Sequence, residues 1–347
     1  MKIIMTLCVR DEADIVRENI EFHLNAGVDF IIATDNRSSD ETEAILKEYE
    51  RAGVLRYLYA PSPFFMQSHY VTKMARMAYD EYQADWVINN DVDEFWWTPD
   101  GDLKSLIQSY SEQQRVDAVN VNRIDFVSDQ SNETQPLRFY QHMIKRRFKS
   151  TNSFGQPLPS KIMHRADPLV SISAGNHDAD GELIKHKIQA FDDDIVIFHF
   201  PLRSYENFVR KATKDYQARR KNIFFLSLSG TYLEYNRLYK EGGLREYYDN
   251  YCAVDDTKNE VASIDLRFKQ RIQKIMQNPK VMLDPNVDYS PSLITKCKKT
   301  VIEALVSVYE FSYYLMKKIK HGLPSLIELV RATYHLLRRL ASRIIRS

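Results

Sequence analysis

In the first ninety residues, short apolar runs alternate with amphipathic segments, and three of the four runs end in acidic or amide side chains. Runs 3–9, 28–34, 54–59 and 86–90 have the length and apolar character of buried strands. Segments 11–25, 42–51 and 67–83 read as helices. Gly27 and Gly53 stop the first two, and Ser38-Ser39-Asp40-Glu41 supplies an N-cap and first-turn acids for the second. A β-α-β-α-β order of this kind predicts an α/β domain whose central sheet is mostly parallel and flanked by helices. Ligands of such sheets bind at the carboxyl ends of the strands. Arg10-Asp11-Glu12, Asp35-Asn36 and Asn90-Asp91-Val92-Asp93-Glu94 stand at those ends, so one edge of the sheet is nominated as the site.

The rest of the 347 residues are less regular. Stretches 116–126, 138–148 and 195–200 read as strands, 151–159 and 171–181 as loop and turn, and 204–220 as a basic helix. A proline-bearing linker is expected near 284–292, with two helices after it. This divides the chain into a catalytic domain over 1–225, a helical extension and linker over 226–290, and a tail over 291–347. A hydrophobic fraction of 44% supports a core without staples. Cys8, Cys252 and Cys297 have no metal-type spacing and suit a reducing compartment. No secretory signal is read in the short apolar start, which Arg10 closes.

The strongest local signal is Trp86-Val-Ile-Asn-Asn-Asp91-Val-Asp93-Glu94-Phe-Trp-Trp97, an apolar strand that runs into two carboxylates one residue apart. Mn²⁺ or Mg²⁺ is held by carboxylate oxygens and bridges well to a diphosphate, the leaving group of a sugar nucleotide. Asp91 and Asp93 are therefore candidate metal ligands. Lys73 and Arg76, one helical turn apart, are candidates for the diphosphate. Trp96 and Trp97 offer an acceptor wall, although in an extended segment only one of them can face the site.

The order Thr6-Leu-Cys-Val-Arg10-Asp11-Glu12, Thr34-Asp35-Asn36-Arg37-Ser38-Ser39-Asp40, Ala84-Asp85-Trp86-Val87 and Asp91-Val-Asp93-Glu94-Phe95 resembles the family 2-like glycosyltransferases. It is closest to a bacterial branch with an Asp-Val-Asp-Glu-Phe signature. The resemblance continues weakly through Lys161-Ile162, Gly175-Asn176-His177 and His199-Phe-Pro-Leu-Arg203. It implies a GT-A fold with a C-terminal helical extension and an inverting transfer. It further implies that Arg10, Asp11, Glu12 and Asp35 lie about the base and ribose, that Asp91 lies near the ribose and metal, and that Lys161 lies near the site. Asp93 ligates the metal in this scheme, with His199 as a further ligand. The chain departs from family 2 in lacking any Glu-Asp dipeptide, which in many members holds the catalytic base. Asp178, beside His177, and Asp125, after a strand, are the candidate bases, and His177 is a candidate acceptor contact.

The expected function is metal-dependent transfer of a sugar, from a UDP-sugar, to a glycan or lipid-linked acceptor in cell-surface polysaccharide synthesis. Two alternatives stand beside it. One is a sugar-1-phosphate nucleotidyltransferase, against which residues 1–21 offer no glycine for a phosphate loop. The other is a non-enzymatic, membrane-bound carbohydrate-binding protein. Residues 296–347 carry eleven Lys/Arg against three Glu, a net +8 that leaves −7 on the remainder of a chain whose total is +1. Ile327, Val330, Tyr334, Leu337, Ala341 and Ile344 share one helical face of this tail. A basic amphipathic helix fits an anionic membrane surface, which places the protein at the cytoplasmic side of the cell membrane. Packing on the catalytic domain or on a second subunit is the competing use of the tail. Nucleic acid fits less well, because the apolar stripe would stay in water.

Overall fold

The computed structural model describes residues 1–63, 66–112, 116–128, 138–151, 155–217, 230–252, 262–282, 299–303 and 306. The first half follows the expected order: β1 (Ile3–Val9), α1 (Val16–Asn25), β2 (Phe30–Asp35), α2 (Thr42–Arg51), β3 (Leu55–Tyr59), α3 (Gln67–Asp80), β4 (Trp86–Asn90) and β5 (Glu94–Trp97). The chain continues through α4 (Leu103–Glu112), β6 (Ala118–Val121), β7 (Arg123–Val127), α5 (Phe139–His142), β8 (Lys145–Arg147) and β9 (Lys161–Arg165). Next come β10 (Ser171–Ile172), β11 (Ala179–Asp180), β12 (Lys187–Gln189) and β13 (Val196–His199). Helix α6 (Tyr205–Arg210) runs into a π turn, Lys211–Asp215. The hairpin α7 (Gly230–Glu241) and α8 (Leu244–Cys252), strand β14 (Ala262–Ile264) and α9 (Arg267–Gln277) follow.

Seven strands form the central sheet in the order β12-β6-β9-β4-β1-β2-β3. β4, β1, β2 and β3 are parallel, as are β12 and β6, and only β9 runs against its two neighbours. β1 is buried along its whole length, because helices cover both faces of the sheet. A second sheet, β14-β8-β7-β13-β5, grows from the end of β4. Its core is aromatic: Phe95, Phe126, Phe139, Phe198, Phe200 and Phe268 pack mostly at 4.6–6.3 Å between ring centroids.

Two expected strands differ. Run 116–126 breaks at Asn122, so that β6 joins the central sheet while β7 pairs with β13 in the second. Run 138–148 begins as the helical turn α5, with Gln141 Oε1 accepting from the Arg138 backbone N–H at 2.9 Å, and only Lys145–Arg147 is strand.

Candidate active site

The acidic segment is a turn between the two sheets, and almost every one of its peptides is pinned. Glu94 N–H donates to Asp91 O at 3.0 Å and Phe200 N–H donates to Asp93 O at 2.8 Å. From α1, the fully buried Asn19 Nδ2 donates to the carbonyls of Val92 (2.9 Å) and Glu94 (2.8 Å). The two carboxylates are thus held at the carboxyl end of β4, beside the ends of β1 and β13, over a cavity of about 330 Å³.

The two aspartates have different partners. Asp91 accepts from Lys161 Nζ, Gln67 Nε2 and, at 3.1 Å, Asn176 Nδ2. Lys161 is itself buried and lies 3.1 Å from Glu94, whose other partner is Arg123 at 3.0 Å. Asp93 Oδ2 is 3.2 Å from Lys211 Nζ and 3.7 Å from His199 Nε2. Burial works to raise Asp93, but Lys211 and His199 overrule it and hold the carboxyl well below the usual carboxylate range. The other nitrogen of His199 meets Asp125 Oδ1 at 2.7 Å. Burial pulls the imidazole down, whereas Asp93 and Asp125 on either side raise it to about 9.

Of the sequence candidates, the structure gathers Arg10, Glu12, Asp91, Asp93, Asp125, Lys161, His177 and His199 around this one cavity. Two guanidinium nitrogens of Arg10 are buried there without a hydrogen-bond partner among the described residues. Glu12 is engaged by Arg203, which also grips Asp14 at 2.6 and 2.9 Å. His177 sits with Nδ1 2.9 Å from Ser160 O, and burial, then Lys161, lower it to about 4. A Cβ on Gly175 (φ +78°) would fall 2.5 Å from the His177 ring, so glycine lets the backbone pass.

Other candidates are placed elsewhere. Asp11 (φ +54°) is a turn residue whose carboxylate accepts from Ser39 N–H and Oγ. Asp35 is fully buried and does not line the cavity, accepting from Ser38 N–H at 2.8 Å and from the Tyr57 hydroxyl at 3.2 Å. Lys73 is exposed, and Arg76 turns to the carbonyls of Val170 (2.8 Å) and Leu169 (3.4 Å). Asp178 is exposed and paired with Lys187 at 2.6 Å. Trp96 and Trp97 are both core residues. The Trp96 indole donates to Asn90 at 3.0 Å, and Trp97 stacks on Phe198 at 4.9 Å beneath the Arg271 guanidinium. Adjacent strand residues do face opposite ways, but β5 is covered on both faces.

Sequence reasoning missed Gln67, Lys211, Asp215, Tyr232, Tyr235, Tyr247 and Tyr251, all of which line the cavity. Lys211 and Asp215 are four apart in the π turn, a rare geometry enriched at functional sites. The signal for the tyrosines was their three- and four-residue spacing, Tyr232 to Tyr235 and Tyr247 to Tyr251.

Among the described residues no group of three or more His, Cys, Asp or Glu is gathered to hold a metal ion. The donors present are a pair, Asp93 and His199 Nε2. Asp125 on the far nitrogen of that imidazole provides the carboxylate support usual behind a metal-binding histidine. Mg²⁺ is commonly held by one or two carboxylates together with substrate phosphates; Asp93 is the carboxylate of this pair, and Lys211 Nζ lies 3.2 Å from the same oxygen.

The sequence profile of glycosyltransferase family 92 matches residues 5–222. No curated protein matches the chain. Among solved structures, S. aureus TarS residues 1–349 in complex with UDP aligns at 12% identity and TM-score 0.37, covering 100% of this chain and 91% of that one. The same S. aureus fragment with UDP-GlcNAc aligns at 12% identity and TM-score 0.37, covering 100% and 92%. Glucosyl-3-phosphoglycerate synthase of Mycobacterium tuberculosis, in complex with Mg²⁺ and UDP, aligns at 16% identity and TM-score 0.25, covering 35% and 43%.

Proposed function

We propose, for a chain that belongs to glycosyltransferase family 92, that a sugar is moved from a UDP-sugar to a hydroxyl of a glycan or lipid-linked acceptor, with inversion. The observation that carries this reading is the pairing of Asp93, backed by His199 and Asp125, with the cationic side chains Arg10, Lys161 and Lys211 around one cavity. The unpaired N–H groups of Arg10 and the Lys211 ammonium suit a diphosphate, with Lys161 adding positive charge behind Asp91. A bound Mn²⁺ or Mg²⁺ at Asp93 and His199, with Asp91 beside them, would neutralise charge developing on that diphosphate. Family 92 stands where the motif reading placed a family 2-like branch, and the acidic motif is read here as serving the same donor chemistry.

Within the chain, Lys161 and Gln67 hold Asp91, and Lys211 places a positive charge against Asp93 from the π turn. Asp125 is the base candidate that lines the cavity, so we assign it the acceptor proton: the hydroxyl oxygen attacks the anomeric carbon, its proton passes to Asp125, and the bond to the diphosphate breaks with its electron pair. Thermal stabilisation across UDP-, GDP- and TDP-sugars with Mg²⁺ or Mn²⁺ tests the donor. A UDP-sugar at 100 times its dissociation constant should add about 2.7 kcal/mol, and no stabilisation by any of the three sinks the reading.

We keep the catalytic domain at 1–225, the extension at 226–290 and the tail at 291–347. The start of the tail docks on the catalytic domain, with Lys299 2.6 Å from Glu43 and Glu303 3.0 Å from Arg37. The basic amphipathic face at 327–344 lies outside the described residues; its composition supports peripheral binding at the cytoplasmic face of the cell membrane. No helix of the described residues is long and apolar enough to cross a membrane. Flotation of the full chain on anionic liposomes, lost in a version ending near Asp288, is the expected result; equal flotation of both refutes the tail's role.

A further inference from the structure

The cavity is closed on one side by the hairpin α7–α8, and the side chains that hairpin presents are tyrosines, with one threonine. Tyr232 and Tyr235 come from α7, Tyr247 and Tyr251 from α8. Tyr235 packs at steep angles between Tyr232 and Tyr247, with centroids 6.3 and 5.8 Å away. The wall is fixed from behind. Phe208 of α6 meets Tyr235 edge-on at 4.7 Å, Asn236 Nδ2 donates to Ala212 O at 2.9 Å, and Arg147 lies 4.4 Å from the Tyr251 ring while bonding its carbonyl. Its polar edge is turned to one carboxylate: the Tyr251 hydroxyl donates to Asp125 Oδ2 at 3.2 Å.

This chemistry is selective. Aromatic faces accept the C–H faces of a pyranose, and phenols beside a carboxylate bond its hydroxyls. An anionic group placed against the same wall would meet Asp125, with no cation contributed by the hairpin's lining residues. Matching one sign of charge in this way excludes partners as much as it attracts them.

We propose that the α7–α8 hairpin is the acceptor subsite, and that it takes an uncharged glycosyl residue whose hydroxyl is directed at Asp125. The proposal rests on the transferase reading above and adds the acceptor's class to it. The family match ends at residue 222, before this hairpin begins. The hairpin thus lies beyond the matched residues, whereas Asp125 and the donor groups Arg10, Asp91, Asp93, Lys161 and Lys211 lie within them.

Saturation-transfer NMR on the full chain with UDP and Mg²⁺ tests this. The probes are the methyl β-glycosides of glucose, galactose and N-acetylglucosamine, with glucose 6-phosphate as the charged control. Saturation should reach the ring protons of at least one neutral glycoside and not those of glucose 6-phosphate. Tyr232→Ala should weaken that glycoside about tenfold with UDP affinity kept. Tyr235→Phe, which removes one hydroxyl and preserves the packing, should weaken it by a smaller factor. Neutral glycosides binding no better than glucose 6-phosphate, or binding both variants as they bind the unaltered chain, would overturn the assignment. Failure of UDP itself to bind would overturn the donor reading and this proposal with it.

Discussion

Asp125 and His199 are register partners on the adjacent parallel strands β7 and β13, and their side chains meet at 2.7 Å between Oδ1 and Nδ1. The contact turns Nε2 toward Asp93, 3.7 Å away. If a cation is held at Asp93 and His199, Asp125 orients one of its ligands. Asp125→Asn should therefore weaken Mg²⁺ or Mn²⁺ about 10- to 100-fold, measured by calorimetric titration in the presence of UDP. An unchanged metal affinity would show that the Asp125–His199 contact serves only the fold.

Asp93→Asn keeps the shape of the turn and removes its charge. Donor hydrolysis that depends on Mn²⁺ should disappear while the circular dichroism spectrum is unchanged, since the turn is pinned through backbone groups of residues 91–94 and Asn19 rather than through this carboxylate. Hydrolysis at the wild-type rate after exhaustive chelation would refute metal dependence.

Three carboxylates separate the possibilities for the base. At saturating Mg²⁺ or Mn²⁺, Asp125→Asn should lower turnover at least ~10²-fold with UDP binding retained. Asp178→Asn should stay close to wild type, because that side chain is solvated and paired with Lys187 outside the cavity. Asp215 lines the cavity from the π turn and has one buried oxygen without a hydrogen-bond partner among the described residues. A loss at Asp215→Asn that exceeds the loss at Asp125→Asn would move the base there. Product NMR showing a retained anomeric configuration would remove inversion itself.

The β1–β4 half was legible because strands buried on both faces are written as unbroken apolar runs, and the polar ends of those runs are where the sheet stops. Asp91 and Asp93 were legible for the same reason. The aromatic pair after them was not. Whether Trp96 faces a sugar or a core depends on Asn90 and His23 being within reach, and no periodicity reports that. Arg203 gripping Glu12 and Asp14 joins residues about 190 positions apart. The tyrosine wall likewise depends on a hairpin folding back over β7. Such long-range contacts belong to topology, and local pattern is silent about them.

His23 predicts how acid should loosen the molecule. It is fully buried on α1, with Nδ1 2.8 Å from Asn19 O while Nε2 accepts the Trp96 backbone N–H at 3.2 Å. The first contact makes Nδ1 the donor, so the neutral ring already uses both nitrogens, and a second proton on Nε2 must break the bond to β5. Burial accordingly lowers this histidine to about 4, and His164, also fully buried, to about 4. Between pH 6.5 and 4 the unfolded chain binds these protons and the folded chain does not. The stabilisation from keeping both rings neutral is thus complete above 6.5 and is lost as the pH falls toward 4. Each proton contributes a slope of up to roughly 1.4 kcal/mol per pH unit in that window. Urea unfolding at intervals from pH 7 to 4.5 should show the decline, and His23→Gln, which can still accept from Trp96 and donate to Asn19, should reduce its slope by about one proton. The same slope in the variant as in the wild type would mean that His23 does not resist protonation in the folded state.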